Sequence, residues 1–190
     1  MPPKIKITKE EIIDTSMNLI RTVGEEHVNA RSIANALGCS TQPIFSNFES
    51  MEDLNEQIVF SAYKLYLGYI ESELKQEKYP PYKAYGMAYI HFAKEEKELF
   101  KLLFMCDREG KELTHTEDFD QLVEMIMKAN GITKEAATLF HLEMWTYVHG
   151  IAVMHATSFL ELDGELISNM ISDVYHGLRT RHIGGQNERN

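Results

Sequence analysis

Apolar residues recur every three or four positions along the chain, and no stretch alternates steadily between apolar and polar residues. This spacing is typical of amphipathic α-helices. The five prolines stand at positions 2, 3, 43, 80 and 81, so the chain beyond position 81 contains no proline to interrupt a helix. The pattern therefore predicts an all-α fold.

Capping signals place the first helices. Thr8 and Glu11 have the spacing of a capping box, which begins a helix that Gly24 ends. Ser40 and Ser50 are predicted N-caps of the third and fourth helices. The predicted helices span about 9–23, 30–37, 41–48, 51–76, 82–94, 95–106, 117–129, 133–158 and 163–180. The polar segment at 106–118 is expected to be a loop.

The second and third predicted helices are short and are separated by a turn that contains Gly38. This is the pattern of a helix-turn-helix, whose second helix presents small or polar side chains to DNA at its N-terminal end. Thr41, Gln42 and Ser46 are predicted to face a DNA groove, while Ile44 faces the core. The pattern alone is weak evidence, because many pairs of short helices joined at a glycine resemble it.

The spacing of apolar and glycine positions across residues 8–54 is more specific. The positions that carry it are Ile13, Leu19, Ile20, Gly24, Ile33, Ala34, Leu37, Gly38, Ser40, Ile44, Phe45, Phe48 and Leu54. This segment resembles the N-terminal DNA-binding domain of TetR-family transcriptional regulators. The resemblance implies a helix-turn-helix DNA-binding domain over 1–50 and an effector-binding and dimerisation domain over 51–182. A flexible tail is predicted over 183–190, because this segment has no apolar anchor beyond Ile183.

Three positions depart from the family pattern, which usually has Tyr at Phe45, His at Asn47 and Lys at Met51. Phe45 has no hydroxyl and Met51 no charge, whereas the Asn47 amide still donates hydrogen bonds. Phosphate contacts supply much of the affinity for DNA. We therefore expect weaker, more salt-sensitive or differently anchored DNA binding.

Charge is unevenly distributed along an acidic chain. The whole chain has 19 Lys and Arg against 29 Asp and Glu, a net charge of −10, but its first nine residues contain Lys4, Lys6 and Lys9 and no acid. This arm is predicted to contact phosphate or the minor groove; the alternative is a solvated, frayed terminus. Arg31 is a further candidate phosphate contact. The predicted DNA-binding residues are Lys4, Lys6, Lys9, Arg31, Ser40, Thr41, Gln42, Pro43, Phe45, Ser46 and Asn47.

Tyrosine, phenylalanine and methionine are concentrated between residues 55 and 150. Many of these side chains belong to a core, but they also suit the wall of a ligand pocket. The resemblance implies a small apolar or aromatic effector there. The candidate ligand-binding residues are Tyr63, Tyr66, Tyr89, Phe92, Phe104, Met125, Trp145 and His149. Trp145 and His149 share a helix face, and Gly150 suggests close approach by another helix or a ligand.

The last two predicted helices carry apolar stripes that exceed what one chain needs for its own core. In the family that the chain resembles, these helices pair across a two-fold axis. The candidate homodimer residues are Met144, Tyr147, Ile151, Met154, Ile167, Ile171, Val174 and Leu178. A dimer also suits a pseudo-palindromic double-stranded DNA operator, because its two reading helices reach successive major grooves about 34–36 Å apart.

Other classes of function find little support in the sequence. Cys39 and Cys106 are too few for a disulfide framework, and no signal peptide or membrane span is evident, so we expect a cytoplasmic protein without membrane association. No catalytic motif accompanies the serines or cysteines, so no enzyme and no cofactor are predicted. His141, His149 and His155 have the wrong spacing to chelate a metal on one helix.

The sequence therefore predicts a ligand-responsive repressor of transcription that is released from its operator by a small effector. The alternative is a dimeric small-molecule-binding or interaction protein on the same fold, with weakened DNA contacts. Phe45, Met51 and the acidic N-terminal domain motivate this alternative.

Deleting residues 2–7 tests the role of the basic arm. Because phosphate contacts carry no sequence information, the deletion is expected to lower the affinity for all DNA duplexes alike. Fluorescence anisotropy with duplexes of different sequence measures the effect. Unchanged affinity for every duplex would contradict the arm's role.

Overall fold

The computed structural model describes residues 7–105 and 116–184, and within these ranges every regular element is helical. The all-α fold predicted from the sequence is confirmed. The helices are α1 (Lys9–Val23), α2 (Ala30–Ala36), α3 (Gln42–Asn47), α4 (Met51–Lys75), α5 (Pro81–Glu95), α6 (Lys97–Phe104), α7 (Thr116–Asn130), α8 (Lys134–Ala156) and α9 (Gly164–Gly184), with a 3₁₀ turn at Glu25–His27. Lys4, Lys6, Cys106, most of the predicted loop and the end of the predicted tail lie outside the described residues.

The capping box predicted for α1 is present. The Thr8 hydroxyl accepts the backbone N–H of Glu11 at 3.2 Å, and the Glu11 carboxylate accepts the N–H of Thr8 at 2.8 Å. Gly24 ends the helix with φ +84°, a conformation that other residues rarely adopt. Ile12, rather than Ile13, is the fully buried residue of the first apolar pair.

The helix-turn-helix pair α2–α3 is held by local hydrogen bonds. The Asn29 side chain caps α2 by accepting the N–H groups of Arg31 and Ser32 at 3.0 and 3.1 Å. Gly38, at φ +66°, makes the turn. The prediction that Ser40 caps the next helix was wrong, because α3 begins one residue later and its N-cap, Thr41, has a helical backbone and makes no side-chain capping bond.

By their internal contacts, the described residues divide into two compact units. The first contains α1, α2, α3, the part of α4 up to Gly68, and α6; the second contains the rest of α4 from Tyr69, with α5, α7, α8 and α9. The domain boundary at residue 50 stays a prediction. Two residues of the predicted tail, at 183 and 184, belong to α9.

The core of the first unit forms where α2, α3 and α6 contact α1. Its buried side chains include Ile12, Ile20, Ile33, Ile44 and Leu99. A charged pair joins α1 to the start of α6, because the Arg21 guanidinium donates to both carboxylate oxygens of Glu96 at 2.7 and 3.0 Å. This bidentate geometry fixes the direction of the contact as well as its distance.

The core of the second unit forms where α5 packs along α8, which also contacts α7 and α9. Its largest fully buried side chains are Met87, Ile90, Phe92 and Phe140. Pro81 begins α5 at a position where its missing N–H costs no intrahelical bond. The pair of prolines at 80 and 81 therefore separates α4 from α5, as the sequence predicts.

Replacing Thr8 by Ala is expected to lower the free energy of unfolding by about 1 kcal/mol, because it removes the side-chain half of the capping box. Urea unfolding measures the change. Thr22→Ala is the matched control, since the Thr22 hydroxyl only donates back to carbonyls of its own helix and its loss is expected to change stability by less than about 0.5 kcal/mol. Equal effects of the two substitutions would contradict the capping role.

Candidate functional site

The short helix α3 presents a mixed surface beside the first unit's core. Ile44 is fully buried, whereas the Phe45 side chain is 53% exposed and Gln42 and Ser46 are exposed. Ser40, in the turn before the helix, is exposed as well, and Thr41 and Pro43 are half-buried. The arrangement leaves one face of α3 available to a partner while the other anchors the helix.

The Asn47 side chain forms hydrogen bonds within the protein. Its amide nitrogen donates to the carbonyl of Pro43 at 2.8 Å and to the carbonyl of Ile7 at 3.3 Å. The second bond ties the segment before α1 to the end of α3. Lys9 lies close by, with its ammonium 5.1 Å from the centre of the Phe48 ring. Among the predicted basic contacts, Arg31 is exposed at the N-terminus of α2.

Acidic side chains border the same region. Glu49, Asp53 and Glu56 line an open cleft together with Phe45 and Lys9. Carboxylates repel DNA phosphates, and neither Phe45 nor Met51 supplies a phosphate donor. The weaker DNA binding expected from the sequence stays a prediction.

The second unit contains a partly open cavity of about 690 Å³. This volume lies within the range of sites for small organic ligands. Its wall is formed by Pro80, Pro81, Tyr82, Lys83, Tyr85, Gly86, Tyr89, Leu122, Met125, Lys128, Ala129, His141, Met144, Trp145, Val148, Ile171, Ser172, Tyr175 and His176. None of these residues is acidic, and most of them are apolar or aromatic.

One polar pair in the wall is neutral at physiological pH. The Tyr82 hydroxyl lies 2.9 Å from Nδ1 of His141, whose ring also packs edge-on against Phe119. Burial lowers the pKa of His141 to about 4, and burial also raises the pKa of Tyr82. The neutral imidazole therefore accepts the Tyr82 hydroxyl hydrogen at Nδ1 when its own proton is on Nε2.

Trp145 and His149 stack face to face, with ring centres 5.1 Å apart. Nδ1 of His149 lies 2.9 Å from the Tyr89 hydroxyl, and burial lowers the pKa of His149. Trp145 and Tyr89 line the cavity, whereas His149 contacts both without lining it. Within the described part of the chain, a Cβ at Gly150 would meet no atom within 4 Å, so no helix of the same chain approaches it closely. Approach by a ligand or by a partner subunit stays a prediction.

The structure brings some of the predicted ligand residues together and separates others. Tyr89, Met125 and Trp145 line the cavity. Phe92 is fully buried in the core. Tyr63, Tyr66 and Phe104 belong to the first unit, where the Tyr66 ring contacts the rings of the other two.

Sequence reasoning missed several polar residues of the cavity wall, above all Lys83, His141 and Ser172. Their signal was weak, because each stands at the edge of an apolar stripe. Lys83 on α5 meets Ser168 and Ser172 on α9, which lie 85 and 89 positions further along the chain.

The predicted dimer residues divide into two groups. Met144, Ile151, Ile167 and Ile171 are buried by their own chain, which leaves them little surface for a partner. Tyr147, Met154, Val174 and Leu178 are half-buried. Larger apolar surfaces on or near these helices belong to Leu139, Leu142, Phe159, Leu160 and Leu166, which are exposed.

Across residues 7–105 and 116–184, no group of three His, Cys, Asp or Glu side chains has the arrangement of a metal site. No helix there combines the length and apolar character needed to cross a membrane.

Together, these features define a helical protein with a helix-turn-helix in one unit and a ligand-sized cavity in the other. Residues 82–173 match the family model described as "Tetracyclin repressor-like, C-terminal domain". No curated protein matches the chain.

A solved structure of a proposed TetR-family transcriptional regulator from Vibrio parahaemolyticus has a similar fold. The TM-score is 0.65 at 16% sequence identity, covering 89% of this chain and 97% of that one. Residues 82–173 thus match a TetR C-terminal domain model, and the chain shares the fold of that solved structure.

The depressed pKa of His141 makes stability depend on pH. Between the ordinary histidine value of 6.5 and about 4, the unfolded chain binds a proton that the folded chain refuses, so the free energy of unfolding falls as the pH falls through this window. The contribution is at most roughly 3 kcal/mol.

His141→Asn is expected to reduce this pH dependence, because the Asn amide oxygen offers Tyr82 an acceptor that does not titrate. Urea unfolding at pH 7 and pH 4.5 measures the difference between the two proteins. Equal losses of stability on acidification in both would show that His141 does not titrate as described.

Proposed function

We propose that this chain is a ligand-responsive, DNA-binding repressor that binds a pseudo-palindromic operator as a homodimer. The observation that carries the proposal is the presence, in one chain, of an exposed helix α3 and a separate apolar cavity of about 690 Å³. Reading of base edges is assigned to Thr41, Gln42 and Ser46 on α3. A repressor meets its operator on the chromosome, so we infer a cytoplasmic protein.

Release from DNA requires only that the effector prefer the dimer geometry that does not fit the operator. A preference of about 100-fold corresponds to roughly 2.7 kcal/mol, which is enough to shift an operator complex toward the free protein. We assign the effector, a small apolar or aromatic molecule, to the cavity of the second unit. No step of this cycle is a chemical reaction, so we infer no catalysis.

The second candidate function is that of a dimeric small-molecule-binding or interaction protein. The carboxylates of Glu49, Asp53 and Glu56 beside Phe45 favour it, because they weaken attraction to phosphate. A steep dependence of operator binding on salt excludes this candidate, since it reports displaced counterions. Absence of binding even at about 50 mM salt would favour it.

The main test is fluorescence anisotropy of the protein with a duplex that covers the DNA beside its own gene. A random duplex serves as the reference, and both are measured at about 50 and 200 mM salt. Binding to the flanking duplex is expected to be at least ~10³-fold tighter than binding to the random one. Equal, weak binding to both would contradict recognition of that flank, and selection from genomic fragments would then decide whether any operator is bound.

Gln42→Ala tests the assignment of α3. Loss of a bidentate base contact is expected to weaken binding to the operator by about 5- to 100-fold and to leave binding to the random duplex unchanged. Gln76→Ala is the matched control, because Gln76 is exposed near the end of α4, where its side chain donates only to its own helix. Equal losses on both duplexes would assign Gln42 to phosphate, and no loss would remove it from the interface.

A further inference from the structure

We propose that the cavity of the second unit binds an amphipathic monocarboxylate, whose carboxylate lies at Lys83 and Ser172 and whose apolar body fills the remaining space. This inference rests on the proposed function only in taking the cavity as the effector site. It adds the chemical class of the ligand, and it follows from the charge, hydrogen bonding and shape of the wall.

Among the residues that the structure describes, no carboxylate forms an ion pair with the Lys83 ammonium. The ammonium donates to the hydroxyl oxygens of Ser168 and Ser172 at 2.7 and 2.8 Å and lies 4.9 Å from the centre of the Tyr79 ring. All of these partners are neutral, and within the described ranges Lys83 forms no ion pair. Two of its three N–H groups are used, so one remains for a ligand.

The wall residues that the structure describes carry no negative charge. The chain has 29 acidic residues and a net charge of −10, yet no Asp or Glu of 7–105 or 119–183 lines this cavity. The wall's other lysine, Lys128, is already paired with Glu124 at 3.0 Å. Within the described part of the wall, an anion would therefore meet the Lys83 ammonium and no repelling carboxylate.

The backbone adds to the attraction at the same place. Lys83 stands in the first turn of α5, and that turn contains no acidic residue. The first N–H groups of a helix lack intrahelical acceptors and carry the positive end of the helix dipole. The side-chain charge and the backbone dipole thus favour a negative group at one end of the cavity.

The remaining wall selects an apolar body with a single charge. Tyr85, Met125, Trp145, Val148 and Ile171 contribute aromatic and aliphatic surface. A phosphate monoester would bring close to two negative charges against one lysine, and the excess charge would be costly to hold against an apolar wall. One carboxylate matches one ammonium.

The test uses 1-pyrenebutyrate and its uncharged analogue 1-pyrenebutanol as probes. Trp145 is the only tryptophan of the chain and lines the cavity, so quenching of its emission by pyrene measures binding to the full-length protein. The carboxylate is expected to bind about tenfold or more tightly than the alcohol, because a hydrogen bond to a charged group exceeds one to a neutral group by this order.

Lys83→Met is expected to lower the affinity for the carboxylate probe to that for the alcohol probe, and to leave the affinity for the alcohol unchanged. Ser172→Ala, which keeps the charge, is expected to weaken carboxylate binding less than Lys83→Met does. Lys94→Met is the matched control, because Lys94 is exposed on the same helix and does not line the cavity. It removes the same net charge and is expected to leave both affinities unchanged.

The outcomes separate this proposal from the proposed function. Equal affinity for both probes, or a carboxylate preference that survives Lys83→Met, overturns the anion site and leaves the cavity as a ligand site. Failure of both probes to bind overturns the anion site and the effector role of the cavity together. Operator binding is measured without either probe, so its failure would overturn the regulator proposal alone.

Discussion

The packing of α5 along α8 is the contact on which the second unit depends. These two helices bury its largest side chains, among them Phe92 and Phe140. They also leave one end of their interface unfilled, because the chain turns there at two consecutive prolines and α7 and α9 close the sides of the resulting space. A dense core and a cavity thus share the same pair of helices, and the rigidity of the core is what holds the cavity wall in a defined shape.

The first unit depends on local interactions, namely helix caps and a small number of buried side chains. Its helices α2, α3 and α6 are too short to be stable alone. End caps at Thr8 and Asn29 and fully buried side chains such as Ile44 hold the unit together. Its exposed face is chemically mixed, with an aromatic ring and hydroxyls beside three carboxylates. The carboxylates weaken the general attraction of this face to phosphate, so the proposed DNA binding depends more strongly on fit to particular base edges and on basic residues outside α3.

The sequence predicted helix ends correctly where the residues that determine them lie at the helix end itself. The capping box at Thr8 and the prolines before Tyr82 placed helix ends to within about two residues, because each acts on its own backbone. It was insufficient at Ser40, where a one-residue shift moved the cap to Thr41, and at the cavity, where Lys83 meets Ser172 only after α5 and α9 have packed. Apolar stripes located the last two helices but did not say whether their own chain or a second copy covers them, since both present the same periodicity.

The ion pair between Arg21 and Glu96 has a consequence for how the molecule is made. It joins residues 75 positions apart, and α6, which follows Glu96, supplies buried leucines that contact α1. During synthesis the apolar face of α1 therefore lacks part of its cover until α6 has left the ribosome, after all of α5. The unit that begins first along the chain is completed late, and a fragment that ends after α3 would expose the surface that α6 protects.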